Sequence, residues 1–66
     1  MSLSTFRVRC EMRDPEDPYG DEPEFYEVYC VESEDYLSAS TVAEARAKVR
    51  HPGYAITTSL VEELEL

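Results

Sequence analysis

The chain is poor in positive charge, with six Lys and Arg against fifteen Asp and Glu and a formal net charge of -9 over 66 residues. A phosphate backbone is held by Lys and Arg that neutralise it and release counterions, so direct nucleic-acid binding is not expected. Metal-binding side chains of the soft kind are also scarce. The two cysteines, Cys10 and Cys30, are too few and too far apart for a zinc cluster, which takes about four ligands at short paired spacings. Long apolar runs are missing: nothing approaches the roughly 20 residues that cross a bilayer, and the N-terminus has no apolar segment of the signal-peptide kind. The expectation is a cytoplasmic protein with no membrane partner.

The parts for catalysis are equally thin. His51 is the sole histidine, and it sits in His51-Pro52-Gly53, a helix-terminating turn where a cationic side chain is explained by the helix dipole. Buried thiols in apolar surroundings are inert, and neither cysteine stands in a recognisable nucleophile motif. Carboxylates are many, but in a charge-rich loop their spacing does not define an acid–base pair. No enzyme activity and no cofactor are expected.

What is present is regular apolar patterning. Sixty-six residues make one domain, which buries only about 60% of the surface its unfolded chain exposes, so a second copy or a partner can complete the core. Residues 5–13 alternate, with Phe6, Val8, Cys10 and Met12 on one face and Thr5, Arg7, Arg9, Glu11 and Arg13 on the other, the pattern of a half-buried strand. Residues 14–23 hold three prolines and a glycine, which exclude a regular element and leave a loop longer than a hairpin needs. Residues 24–32 read as a second strand, apolar on both faces.

Glu27 is used to orient that strand. Were Phe25, Tyr29 and Val31 to face the core, Glu27 would go in with them, and an unpaired buried carboxylate costs several kcal/mol. Tyr26, Val28 and Cys30 are therefore expected inward. With Val8 opposite Val28, Arg9 then meets Glu27 and Arg7 meets Tyr29 on the outer face, and Cys10 meets Tyr26. In that register the two thiols are free and core-facing, and Cys10 does not stand opposite Cys30 to form a disulfide.

Ser33 to Asp35 reads as a turn and Tyr36 to Ala39 as an extended approach. Thr41-Val-Ala-Glu44 has the form of a capping box, so a helix is expected over 42–50 with Val42, Ala45 and Val49 on its buried stripe and Ala43 and Ala47 flanking. Residues 54–61 alternate again, Ile56, Thr58 and Leu60 against Thr57, Ser59 and Val61, as a last strand that runs into a loose tail; Ser59 to Glu62 could instead cap a short helix. A right-handed crossover places the last strand beside the first. The expected class is α+β: a three-stranded antiparallel sheet, order 2-1-3 in a ββαβ chain, with one helix on one face.

Two surfaces stand out as binding candidates. Residues 14–45 carry eleven acidic side chains and no Lys or Arg, among them Asp14, Glu16, Asp17, Asp21, Glu22, Glu34 and Asp35. Such a one-signed surface either attracts a basic partner, as a nucleic-acid mimic does, or keeps a small protein soluble. A weak divalent-cation site is a further alternative, but counted from Asp14 an EF-hand loop would have Pro18, Tyr19 and Phe25 at its fifth, sixth and twelfth positions, which does not match. The second surface is the outer face of the sheet, where Phe25, Glu27, Tyr29 and Val31 are expected beside Arg7 and Arg9. Apolar groups exposed there mark a contact for a protein partner or a second copy, unless the loop or the tail, through Leu64 and Leu66, covers them.

In size, acidity and element order the chain resembles the small inhibitor and accessory proteins that bacteriophages encode, some of which mimic nucleic acid or block host defence enzymes such as CRISPR effectors. The resemblance implies a protein-binding role and assigns no individual residue.

Overall fold

The computed structural model describes residues 2–65. Strand β1 (Ser4–Arg13) and strand β2 (Phe25–Ser33) are followed by helix α1 (Tyr36–Arg50) and strand β3 (Ala55–Leu64). The three strands form one antiparallel sheet in the order β2-β1-β3, and α1 lies on one face of it. The architecture is the α+β one that the patterning predicts. Among the described residues no helix is long and apolar enough to cross a membrane. Met1 and Leu66, the latter the end of the tail expected to be loose, lie outside the described residues.

β1 presents the faces its alternation requires. Phe6, Val8, Cys10 and Met12 are buried under the helix, and Arg7 and Arg9 are exposed on the opposite side. The other three elements depart from expectation, each for a physical reason.

β2 has the opposite parity. Its register with β1 pairs Val8 with Tyr29, Arg9 with Val28 and Cys10 with Glu27, one residue away from the expected alignment. Because side chains alternate with period two, that single step reverses every facing. Tyr29, Val31 and Ser33 are buried, with Phe25 and Glu27 partly buried on the same face, whereas Tyr26, Val28 and Cys30 are exposed on the outer one. Cys10 and Cys30 therefore stand on opposite faces of the sheet as free thiols, and no disulfide can join them. A maleimide added to the native protein should label one thiol per chain, Cys30, and the second only after denaturation. Protection of both thiols, read by intact mass, would contradict this parity.

α1 begins six residues earlier than the capping box suggests. Asp35 is its N-cap, accepting a hydrogen bond from the Ser38 amide at 2.8 Å. Thr41 lies within the helix, its hydroxyl donating to the Leu37 carbonyl at 3.0 Å, and the Glu44 carboxylate accepts from the Thr58 hydroxyl instead of reaching back to a cap. The buried stripe is Ala39, Ala43 and Ala47, while Val42 and Val49 face outward. Alanines let the helix axis approach the sheet, and the larger Phe6, Val8, Met12, Tyr29 and Val31 fill the space from the sheet side. At the far end the His51 amide donates to the Ala47 carbonyl at 2.8 Å, and Lys48 and Arg50 sit in the last turn, where the dipole favours cations.

β3 contains a bulge. Arg9 pairs with Leu60 but Cys10 pairs with Thr58, which leaves Ser59 as the extra residue. The Ser59 hydroxyl accepts from Arg9 Nε at 2.9 Å and donates to the Arg9 carbonyl at 3.2 Å. The bulge shifts the alternation, so Ile56, Thr58 and Val61 share the inner side and Leu60 moves to the outer one, against the expected pairing of Ile56 with Leu60. The strand continues to Leu64 and closes off both the helical and the loose alternatives for residues 62–64.

Candidate functional site

Among the described residues, the outer face of the sheet is covered only at its Glu11–Arg13 end, where the acidic loop docks, and the rest of it is open. Its rows follow from the register: Tyr26, Glu11 and Thr57; Val28, Arg9 and Leu60; Cys30, Arg7 and Glu62. The central row places an arginine between two aliphatic side chains. Tyr26, Val28 and Leu60 are 50%, 52% and 47% exposed. Arg9 lies over the Tyr26 ring at 4.8 Å from its centroid, and its Nε is held by Ser59, so the guanidinium is fixed by a ring and a hydroxyl in place of a carboxylate. Arg7 pairs with Glu62 across the strands, an exposed pair of small energetic weight.

Of the six residues expected on this face, Arg7 and Arg9 are there. Phe25, Glu27, Tyr29 and Val31 are on the other side, and Tyr26, Val28 and Leu60 take their place. The reason is that Glu27 is paired. Its carboxylate accepts from the Tyr29 hydroxyl at 2.6 Å, lies 2.9 Å from His51 Nε2 and 3.5 Å from Arg50 Nε, and keeps 28% of its side-chain surface exposed. The cost of burial therefore does not arise in full, because the partners arrive from the end of α1. Phe25 packs edge-on against His51 and Tyr54, with ring centroids 4.9 and 5.2 Å away. Together these groups clasp the end of the helix to β2. The sequence carries no sign of these contacts, because Arg50 and His51 at the helix end are already accounted for by the dipole.

The clasp has a pH signature. Hydrogen bonds from Tyr29 and then His51, with the nearby charges of Arg50 and His51, hold the Glu27 carboxyl below its ordinary value of 4.5. Hydrogen bonds from Ser38 hold the Asp35 carboxyl below 3.8. A carboxyl depressed on folding contributes stability above its unfolded pKa and loses it as the pH falls through the folded one. Burial, followed by the Glu27 hydrogen bond and charge, pushes the Tyr29 phenol up to about 12. Its contribution is complete below pH 10, the ordinary phenol value, and is lost as the pH rises toward 12. Melting temperatures should therefore fall at both extremes. Glu27→Gln should melt lower than the parent at neutral pH and converge with it in acid; parallel curves would show that Glu27 is not linked to folding.

The acidic loop is tied down at one point. Arg13 donates from Nη1 to the Gly20 carbonyl at 2.6 Å and from Nη2 to Glu11 at 2.8 Å. A Cβ at Gly20 would meet the Asp17 carboxylate at 2.6 Å, a contact that the exposed Asp17 side chain can relieve by turning away. Asp14, Glu16, Asp17, Asp21, Glu22, Glu34 and Asp35 are all exposed. Two of them have local duties: Asp14 accepts from the Glu16 amide at 2.9 Å, and Asp35 caps the helix. The loop docks against the Arg13 end of the sheet, and Leu64 is part of β3, so neither shields the central row.

Cys10 is buried, and that burial, with Glu44 and Glu27 adding negative charge nearby and a Thr58 hydrogen bond opposing, pushes its thiol up, away from the reactive thiolate. Among the described residues no group of three or more His, Cys, Asp and Glu side chains is arranged to hold a metal ion. No protein-family model, no curated protein and no solved structure matches the chain.

Proposed function

We propose that the protein is a small non-enzymatic protein-binding module that acts through the open face of its sheet, in the manner of a phage-type inhibitor or accessory protein. The observation that carries this reading is the row Val28, Arg9 and Leu60 with Tyr26 beside it: half-exposed apolar side chains grouped around an arginine already held in place. Tyr and Arg dominate binding energy at interfaces, and pre-ordering the arginine lowers the entropy lost when a partner docks. The acidic loop borders one end of this face and speeds encounter with a basic partner surface, whether that partner is another protein or, through a differently charged patch, a second copy.

The test is capture from cell extract on immobilised protein, comparing the parent with Val28→Glu and Arg9→Glu. Both positions are exposed, so each variant should keep its circular dichroism spectrum and melt close to the parent. The expected result is a retained protein that both variants lose. Retention by both variants would defeat the sheet-face reading. Should binding survive in them but collapse when Asp14, Glu16, Asp17, Asp21 and Glu22 are neutralised together, with steep salt dependence in the parent, the nucleic-acid mimic would be the better description.

A further inference from the structure

β2 is an edge strand, and the backbone groups on its free side can be identified. Arg46 Nη1 donates to the Cys30 carbonyl at 3.2 Å, so that carbonyl points away from β1. In an antiparallel strand, alternate residues turn both N–H and C=O to the same side, which places Tyr26, Val28, Cys30 and Glu32 on the free edge. The β1–β2 register runs from Ser4–Ser33 to Met12–Phe25 without a bulge, and β2 holds no Pro and no Lys, the usual devices that blunt an edge. The other edge strand, β3, has its bulge at Ser59.

Between this edge and α1 lies a groove of about 590 Å³ lined by Tyr29, Val42, Ala45, Arg46, Val49 and Arg50. Its walls are apolar, with Val49 84% exposed, and it holds two guanidinium groups and no carboxylate of its own lining. Among the described residues, Arg50 is shared with Glu27 at one end, whereas Arg46 donates to a neutral carbonyl. A chain of net charge -9 thus concentrates positive charge along an apolar groove beside an open strand edge.

We propose that this groove binds an extended acidic segment of a partner protein, which adds to β2 as a fourth strand. Addition at a sheet edge draws affinity from main-chain hydrogen bonds and specificity from alternate side chains. In this geometry every second side chain of the incoming segment enters the groove. Aliphatic ones meet Val42, Val49 and the Tyr29 ring, and carboxylates pair with Arg46 and Arg50. Arg46 gives up the Cys30 carbonyl as a backbone N–H of the segment takes it. A second copy is the weaker occupant, because pairing β2 with its symmetry mate would bring two copies of Arg46 and Arg50 toward each other. The site is separate from the outer-face row, so the two readings stand or fall independently.

The probe is a fluorescein-labelled peptide amide, Thr-Val-Thr-Glu-Thr-Val-Thr-Glu-Thr, followed by anisotropy at low salt, with a companion in which lysine replaces both glutamates. The acidic peptide is expected to bind at least tenfold more tightly than the basic one, the worth of about one charge-assisted pair. Arg46→Glu, at an exposed position that leaves the fold intact, should erase or reverse that preference. Amide shifts in NMR spectra should move at Val28, Cys30 and Val49, and N-methylation of the alternate edge-facing amides should weaken binding at least tenfold. Equal binding of the two peptides, no binding of either, or shifts that spare Val42 and Val49 would overturn the proposal. So would a dimer seen by sedimentation that Val49→Asp dissolves, which would assign the groove to a second copy.

Discussion

Phe6→Ala is expected to remove most of the protein's stability. Phe6 is the largest of the fully enclosed side chains, contributed by the central strand, and its ring meets Tyr36 edge-on at 5.0 Å. Truncating a buried phenylalanine costs about 3–5 kcal/mol, the lost transfer energy plus the cavity left behind. A domain of this length has a total of roughly 3–10 kcal/mol at ordinary stability per residue. Chemical denaturation should therefore show either a midpoint near zero denaturant or no cooperative transition at all. The Tyr36 contact adds a reason that the site cannot collapse onto itself: Tyr36 is half-exposed at the first helical turn and holds that turn over Phe6. A loss below about 1 kcal/mol would mean that the helix start is not packed on β1 as described.

Ala43→Leu is the second large effect, and it reads out which face of α1 meets the sheet. Ala43 is fully enclosed midway along the stripe of Ala39, Ala43 and Ala47. Three extra carbons there must push α1 away from β1 or force neighbours out of their rotamers, at a cost of about 1–3 kcal/mol. Val49→Ala is its counterpart. With Val49 exposed, the change removes no core contact and slightly favours the helix, so stability should stay within about 0.5 kcal/mol of the parent. Had Val42, Ala45 and Val49 been the buried stripe, the two variants would behave the other way round. Equilibrium unfolding of both decides between the two faces.

The same contrast shows where one-dimensional patterning carries information about this chain. β1 was legible because its two faces differ in kind, four apolar side chains against arginines and a glutamate. β2 was not, since each of its faces offers aromatic and aliphatic groups together with one glutamate, Glu27 on one side and Glu32 on the other. In the sequence Glu27 has no evident partner, so its burial looks costly. Its partners His51 and Arg50 are more than twenty residues away, and only the fold supplies them. The helix was misplaced for a related reason. Apolar size suggested Val42 and Val49 for the core, but closeness of approach favours the smallest side chains when the opposite wall already carries Phe6, Met12 and Tyr29. On the open sheet face, Arg7 and Arg9 follow from the alternation of β1, while the apolar members Tyr26, Val28 and Leu60 depend on the register of β2 and the bulge in β3.

The order of elements, the sheet topology, the two faces of β1 and the acidic, proline-bounded loop follow from local periodicity, turn chemistry and charge, and so are written in the chain itself. The one-residue register of β2, the bulge at Ser59 and the stripe of alanines under the helix are settled by packing. Each depends on a partner distant in the chain: Glu27 on the end of α1, Ser59 on Arg9, and Ala43 on the large side chains across from it. The composition of the open face follows from those three choices, since a strand that turns over exchanges its inner and outer side chains together.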